Sequence, residues 1–199
     1  MQVTKERRRN RVRRKQAKTC TMRLLLSGDI EMPLSIYQTS VPVFSRALNN
    51  LSAIVGKAAA HAEARKIDPS VFINARIAPD MFPFSRQVQS ASDSAKGCAA
   101  RLAGVDIPSY ADTEMTFPEL QARIAKTMAF LQSVNEAQFD GSEDRTIVLK
   151  LRGREVTFSG KSYLLNFALP NFFFHAVTAY DILRHNGVEI GKQDFLGSA

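Results

Sequence analysis

The stretch with the clearest chemical signal is Pro170 to Gly187, where Asn171 and His175 stand four residues apart among phenylalanines. On a helix that spacing puts both side chains on one face, one turn apart, where they can converge on a small ligand. A neutral imidazole in a low-dielectric pocket can serve as general base or metal ligand. Its second nitrogen then needs a partner, which Asn171, Thr178 or, from a neighbouring helix, Gln87 can supply. The competing reading is a buried histidine held by hydrogen bonds that fixes helix register. The lack of a second histidine or carboxylate on that face favours this plainer reading. Tyr180 reads first as a core aromatic with a satisfied hydroxyl, and only then as a catalytic acid. The candidate pocket is thus Gln87, Asn171, His175, Thr178 and Tyr180, with His175 the one candidate for catalysis.

Other chemistry is sparse. The sequence has no Gly-rich phosphate loop, no Cys-x-x-Cys, no Gly-x-Ser-x-Gly and no His-Glu-x-x-His. His175 and His185 lie ten apart, about 15 Å along a helix axis, and cannot share one ion. His61 sits beside Lys57, Arg65 and Lys66 near a helix end, where it reads as a dipole-compensating side chain. No metal and no cofactor are expected; the alternative is a divalent transition metal, with His175 its weak candidate ligand. The two cysteines, Cys20 and Cys98, make no disulfide framework and point to a reducing, cytoplasmic setting. Cys98 falls on an apolar seam and reads as a core filler.

The net charge of +8 over 199 residues belongs to one end. Residues 1–31 hold ten basic and three acidic side chains, while the remaining 168 are close to neutral. The block Arg7, Arg8, Arg9, Arg11, Arg13, Arg14, Lys15 and Lys18 repels itself and is expected to be disordered when unbound. It reads as an extension outside the native protein, with Met32 the start, as a solvated tail, or as a phosphate-binding arm. Nucleic acid is a partner only if that tail is native. The domain plan is therefore a basic extension, 1–31, and a folded domain, 32–199. No apolar run is long enough to span a bilayer, and Leu24 to Leu26 is too short for a signal-peptide core.

The elements that must position the candidate residues follow from periodicity. A first helix is expected over 35–66, with Phe44, Leu48, Leu51, Val55, Ala58 and Ala62 inward and Pro42 kinking it or marking its effective start. A short helical turn fits 69–74, and a second helix fits Phe84 to Ala103, closed by Gly104. On that helix Gln87 borders the seam, while Gln89 and Asp93 point away from its centre. Thr116 and Glu119 form a capping-box pattern opening a third helix, to about Asn135. Alternation over 145–151 and 154–158 predicts a β-hairpin, which must pack on the bundle or on a partner. Residues 161–169 return to a helical pattern and lead into the last helix. Pro170 takes its first turn and Gly187 follows its end, and its apolar character nearly all round predicts the central helix of the bundle. Residues 188–199 read as a tail folded back over it. The fold expected is mainly α, a four-helix bundle with a small β-hairpin before the last helix.

Five segments go further. They are His61-Ala-Glu-Ala-Arg-Lys-Ile, Ala78-Pro-Asp-Met-Phe-Pro-Phe-Ser-Arg-Gln-Val-Gln, Thr116-Phe-Pro-Glu-Leu, Leu169-Pro-Asn-Phe-Phe-Phe-His and the run from Ile182 to Gly197. Together they resemble a bacterial family of unknown function grouped with the DinB/YfiT-like metalloenzymes, which are four-helix bundles. The likeness runs from about Pro33 to Gly197. Metal-binding relatives take one histidine from the second helix and two, spaced by four, from the last. The resemblance sets His175 at the second of that pair and Asn171 at the first. The second helix here has no histidine, and Gln87 is the nearest polar residue. Neutral amides are weak ligands for such ions, so the resemblance implies a degenerate metal position. It implies a small-ligand site or a residual transferase- or hydrolase-type pocket; the alternative is a non-catalytic structural protein that dimerises through the bundle or the hairpin edge.

Overall fold

The computed structural model describes residues 34–197 apart from Arg152. The basic block, including Arg7, Arg8, Arg9, Arg11, Arg13 and Arg14, and Cys20 lie outside the described residues. Proline and glycine set the bounds of the first helices. Helix α1 spans Val41–Arg65 rather than 35–66, because Pro42 takes a first-turn position and residues 36–40 form a turn before it. Helix α2, Pro69–Ile73, is one short turn whose cap, Asp68, accepts from the Ser70 N–H at 2.9 Å. Helix α3, Phe84–Ala103, stops at Gly104, whose φ of 71° is the left-handed value that a side chain disfavours.

Helix α4, Phe117–Ser133, opens at Thr116, whose hydroxyl accepts from the Glu119 N–H at 3.4 Å. The Glu119 carboxylate reaches Met115 N–H at 2.8 Å, one residue beyond the expected capping-box partner. Strands β1, Thr146–Leu151, and β2, Arg154–Ser159, pair antiparallel with Thr146 opposite Ser159 and Leu151 opposite Arg154. Ile147 and Leu149 turn inward, and Phe158 meets Tyr163 and Phe167 at ring distances near 6 Å, 6.2 and 5.9. The hairpin therefore packs on its own domain.

From β2 the chain runs straight into helix. Helix α5, Gly160–Tyr163, a π-turn, Leu164–Ala168, and helix α6, Leu169–His185, follow without a break. Pro170 thus lies inside a continuous helical run instead of opening one. It has no N–H for the Asn166 carbonyl and its ring crowds that turn; the wider π-turn just before it gives the needed room. Gly160 makes the corner possible, since a Cβ there would collide with the Ser142 carbonyl and crowd Leu102. The short helix α7, Lys192–Leu196, folds back on α1, with Asn50 donating to the Phe195 carbonyl at 3.1 Å and Lys57 pairing with Asp194 at 2.5 Å.

In the bundle α1 packs on α4, α4 on α3, α3 on α6, and α6 closes back on α1. The enclosed helix is α3, not α6. Phe172, Ala176, Ala179, Ile182 and Leu183 are buried on one side of α6, whereas Phe174 and Val177 are 55% and 40% exposed on the other. Helix α3 presents Ala91, Ala95, Cys98 and Ala99, all fully buried, and small side chains let neighbouring backbones approach closely. Phe44 and Phe172 meet edge to face at 5.0 Å in the centre, each such buried ring contributing about 2 to 3 kcal/mol. Among the described residues no helix is long and apolar enough to cross a membrane.

Candidate functional site

The facing sides of α3 and the run from Gly160 to His185 are joined by three polar rungs. Gln87 Oε1 meets His175 Nδ1 at 2.8 Å, Asn171 Nδ2 donates to Ser94 Oγ at 2.7 Å, and Arg101 Nη1 donates to the Tyr163 hydroxyl at 3.2 Å. Gln87, Ser94 and Arg101 are spaced by seven, two helical turns, so they share one face of α3 about 10 Å apart. On the opposite run the π-turn lies between Tyr163 and Asn171, which keeps the third rung in register.

The first rung has a defined protonation. Gln87 is buried and its Nε2 donates to the Phe82 carbonyl at 3.1 Å, which turns Oε1 toward the imidazole. His175 Nδ1 must then carry the hydrogen, and among the described residues nothing bonds the Nε2 lone pair. Burial, and then the positive charge of Arg86, hold His175 below the usual histidine range. The ring is therefore neutral at pH 7, with a basic nitrogen on offer, and it meets the Phe174 ring edge to face, centroids 5.3 Å apart.

The other candidates lie elsewhere. Asn171 faces Ser94, and the two amides do not converge with His175 on one point. Thr178 is buried and its hydroxyl donates to the Phe174 carbonyl of its own helix at 2.6 Å. Tyr180 is half-buried against Phe195, ring to ring 5.8 Å. Cys98 is buried on α3, and burial pushes its thiol up. A transition metal does not fit the donor set. Of the three positions that the resemblance points to, only His175 offers a strong ligand, Gln87 is committed at both ends, and Asn171 belongs to the next rung. Among the described residues no three His, Cys, Asp or Glu side chains gather as a ligand cluster.

Beside the first two rungs is a charged centre that periodicity did not disclose. Arg123, on the inner side of α4 and almost fully buried, reaches Asp93 at 2.8 Å, Asp112 at 2.9 Å and Glu114 at 3.1 Å. Lys96 Nζ joins Asp93 at 2.9 Å and lies 4.1 Å over the Tyr110 ring. Arg86 pairs with Asp112, and Gln89, buried rather than pointing away, donates to Glu114 at 2.9 Å. Burial alone would lower the Arg123 pKa and raise that of Asp112. The opposite charges outweigh it, so Arg123 is raised and Asp112 lowered. The centre is charge-balanced, with three cations against three carboxylates, and one of its cations, Arg86, is the charge that His175 feels. The repeat of seven through Gln87, Ser94 and Arg101 is visible in the sequence, but Ser85, Arg86, Gln89, Ser90, Ser92, Asp93 and Lys96 stand on the same helix, so the spacing does not single those three out.

A family model described as Domain of unknown function (DUF1993) matches residues 36–196. The crystal structure of a DinB family member protein from Shewanella denitrificans is similar at 43% sequence identity with a TM-score of 0.78. That likeness covers 82% of this chain and 93% of the other. No curated protein matches the chain.

Proposed function

The chain belongs to the DUF1993 family and has a DinB-like fold, and from its own residues we propose that it binds a small molecule beside the Gln87–His175 rung. The observation that carries this reading is the oriented imidazole. Gln87 is fixed by the Phe82 carbonyl, His175 Nδ1–H is fixed by Gln87, and Nε2 is left to accept a proton or hydrogen bond. A base so held loses little entropy in meeting its ligand. As an enzyme it would be a hydrolase or transferase in which His175 takes a proton from a hydroxyl, water or amine. Arg86, kept close by Asp112, favours a ligand with negative character next to that nitrogen. The test is a small-molecule library followed through the side-chain nitrogen resonances of His175. Compounds that bind here shift Nε2 and lose affinity in His175→Asn; a library whose every binder leaves Nε2 unmoved and tolerates the substitution refutes the reading.

One observation favours a second reading, assembly through the bundle. Phe174 and Val177, three apart, make an exposed apolar strip on the outer side of α6. Light scattering at two concentrations tests it, and a strict monomer at both counts against it.

A further inference from the structure

A cleft of about 280 Å³ opens between the hairpin, α3 and the α5–α6 run, bounded by the second and third rungs and not by the first, which holds His175. Its polar lining comes from Asp93, Ser94, Arg101, Lys150, Tyr163 and Asn171, and Phe167 with Leu149 and Leu151 gives it apolar walls. The charges are not balanced. The Asp93 carboxylate is already matched by Lys96 and Arg123. Arg101 is half-buried, folds back over the space left by Gly97, and bonds only the neutral Tyr163 hydroxyl; among the described residues it has no carboxylate. A guanidinium withdrawn from water without a counter-ion is costly unless an anion comes to it. Its geometry suits a carboxylate, which it can bind through two parallel N–H donors.

The remaining groups fix the orientation. Tyr163 accepts from Arg101, so its own hydrogen is free to be donated, and burial pushes its pKa up to about 12, which keeps that hydrogen in place. Lys150, at an outward position of β1, borders the cleft, mostly exposed and only loosely paired with Glu155 at 3.9 Å. At the other end, Asn171 gives its N–H to Ser94 and retains Oδ1 as an acceptor. Seven residues on α3 separate the two ends, about 10 Å.

We propose that this cleft binds a small carboxylate with a flat apolar body, its oxygens on Arg101 and Tyr163, with Lys150 adding positive charge at the rim, and a donor at its far end on Asn171. The body lies against Phe167 and the inner face of β1, and the cleft's volume, at the small end of ligand sites, limits it to about one ring. The site is distinct from the His175 rung and does not depend on it.

Calorimetric titration of the full chain with 3-(4-hydroxyphenyl)propionate, its primary amide and inorganic phosphate tests the proposal. The carboxylate binds saturably at one site and the neutral amide at least about tenfold more weakly, the cost of losing a charge-assisted pair. Arg101→Gln brings the carboxylate down to the level of the amide. Lys150→Gln, on an exposed strand position that folding does not need, weakens it less and lowers its salt sensitivity. If Arg101→Gln loses its helical circular dichroism, the carboxylate–amide ratio and Lys150→Gln decide by themselves. Equal binding of carboxylate and amide, no saturable heat, or phosphate binding as tightly as the carboxylate would each overturn it.

Discussion

Replacing Arg123 with methionine is the sharpest test of how the bundle holds its polar interior. The guanidinium side chain is 1% exposed and donates to Asp93, Asp112 and Glu114 at 2.8 to 3.1 Å and to the Ala111 carbonyl at 2.9 Å. Methionine fills a similar volume but leaves three carboxylates against two cations, Lys96 on Asp93 and Arg86 on Asp112, with Glu114 keeping only the neutral Gln89 amide. Removing one partner of a buried ion pair costs about 3 to 5 kcal/mol. Asp93 and Asp112 are 39% and 33% exposed and regain hydration, so the lower end applies, about 3 kcal/mol. For a domain of this size that lowers Tm by about 6 to 12 °C. The assay is a thermal melt at pH 7 followed by far-ultraviolet circular dichroism. Acid supplies an internal check. Asp112 is held below the usual carboxylate range by Arg86 and Arg123 against the opposing effect of burial. Its contribution is therefore present above the unfolded value, near 4, and lost as pH falls through the folded one, so wild type and variant converge below about pH 4. A variant melting within about 2 °C of wild type at pH 7 would refute the argument that this centre supports the fold.

Three further outcomes follow from single contacts. His175 is held below the usual histidine range, so wild-type stability is full above about pH 6.5 and declines as pH falls toward the folded value. In His175→Asn urea titrations across that window lose this component of the slope. Gly160→Ala drives a Cβ into the Ser142 carbonyl and costs about 2 to 4 kcal/mol, read from the urea midpoint; a neutral result would mean that the strand-to-helix corner is looser than described. Asn171→Ala removes the middle rung but leaves Ser94 its bond to the Ser90 carbonyl at 2.7 Å, so the loss is about 1 kcal/mol by the same measurement.

The expected bundle and hairpin are both present, and the bounds that agree are those set by local chemistry. Phe84 to Gly104, the Thr116 cap and the pairing of 146–151 with 154–159 each depend on residues within a few positions of one another, so their pattern is visible in one dimension. The departures are instructive for the same reason. Pro170 reads as a helix start because proline favours that position locally; whether a run continues through it depends on the π-turn and on what packs around both. The face of α6 that carries Phe174 and Val177 reads as core by composition, but which of several apolar faces is covered is decided by the number of neighbours available.

The site divides in the same way. Asn171 and His175 declared themselves by type and spacing, and Gln87 stood among the partners that the imidazole could take. That His175 takes Gln87 while Asn171 takes Ser94 is settled by how α3 lies along α6, a relation between residues 88 and 77 positions apart. Arg123 and its three carboxylates are spread over 30 positions, and no period links them. The sequence by itself determined the helices, the hairpin and a single histidine with chemical promise. Tertiary structure decided which nitrogen of that histidine is free, because a side chain's protonation is set by its neighbours across the fold and not along the chain.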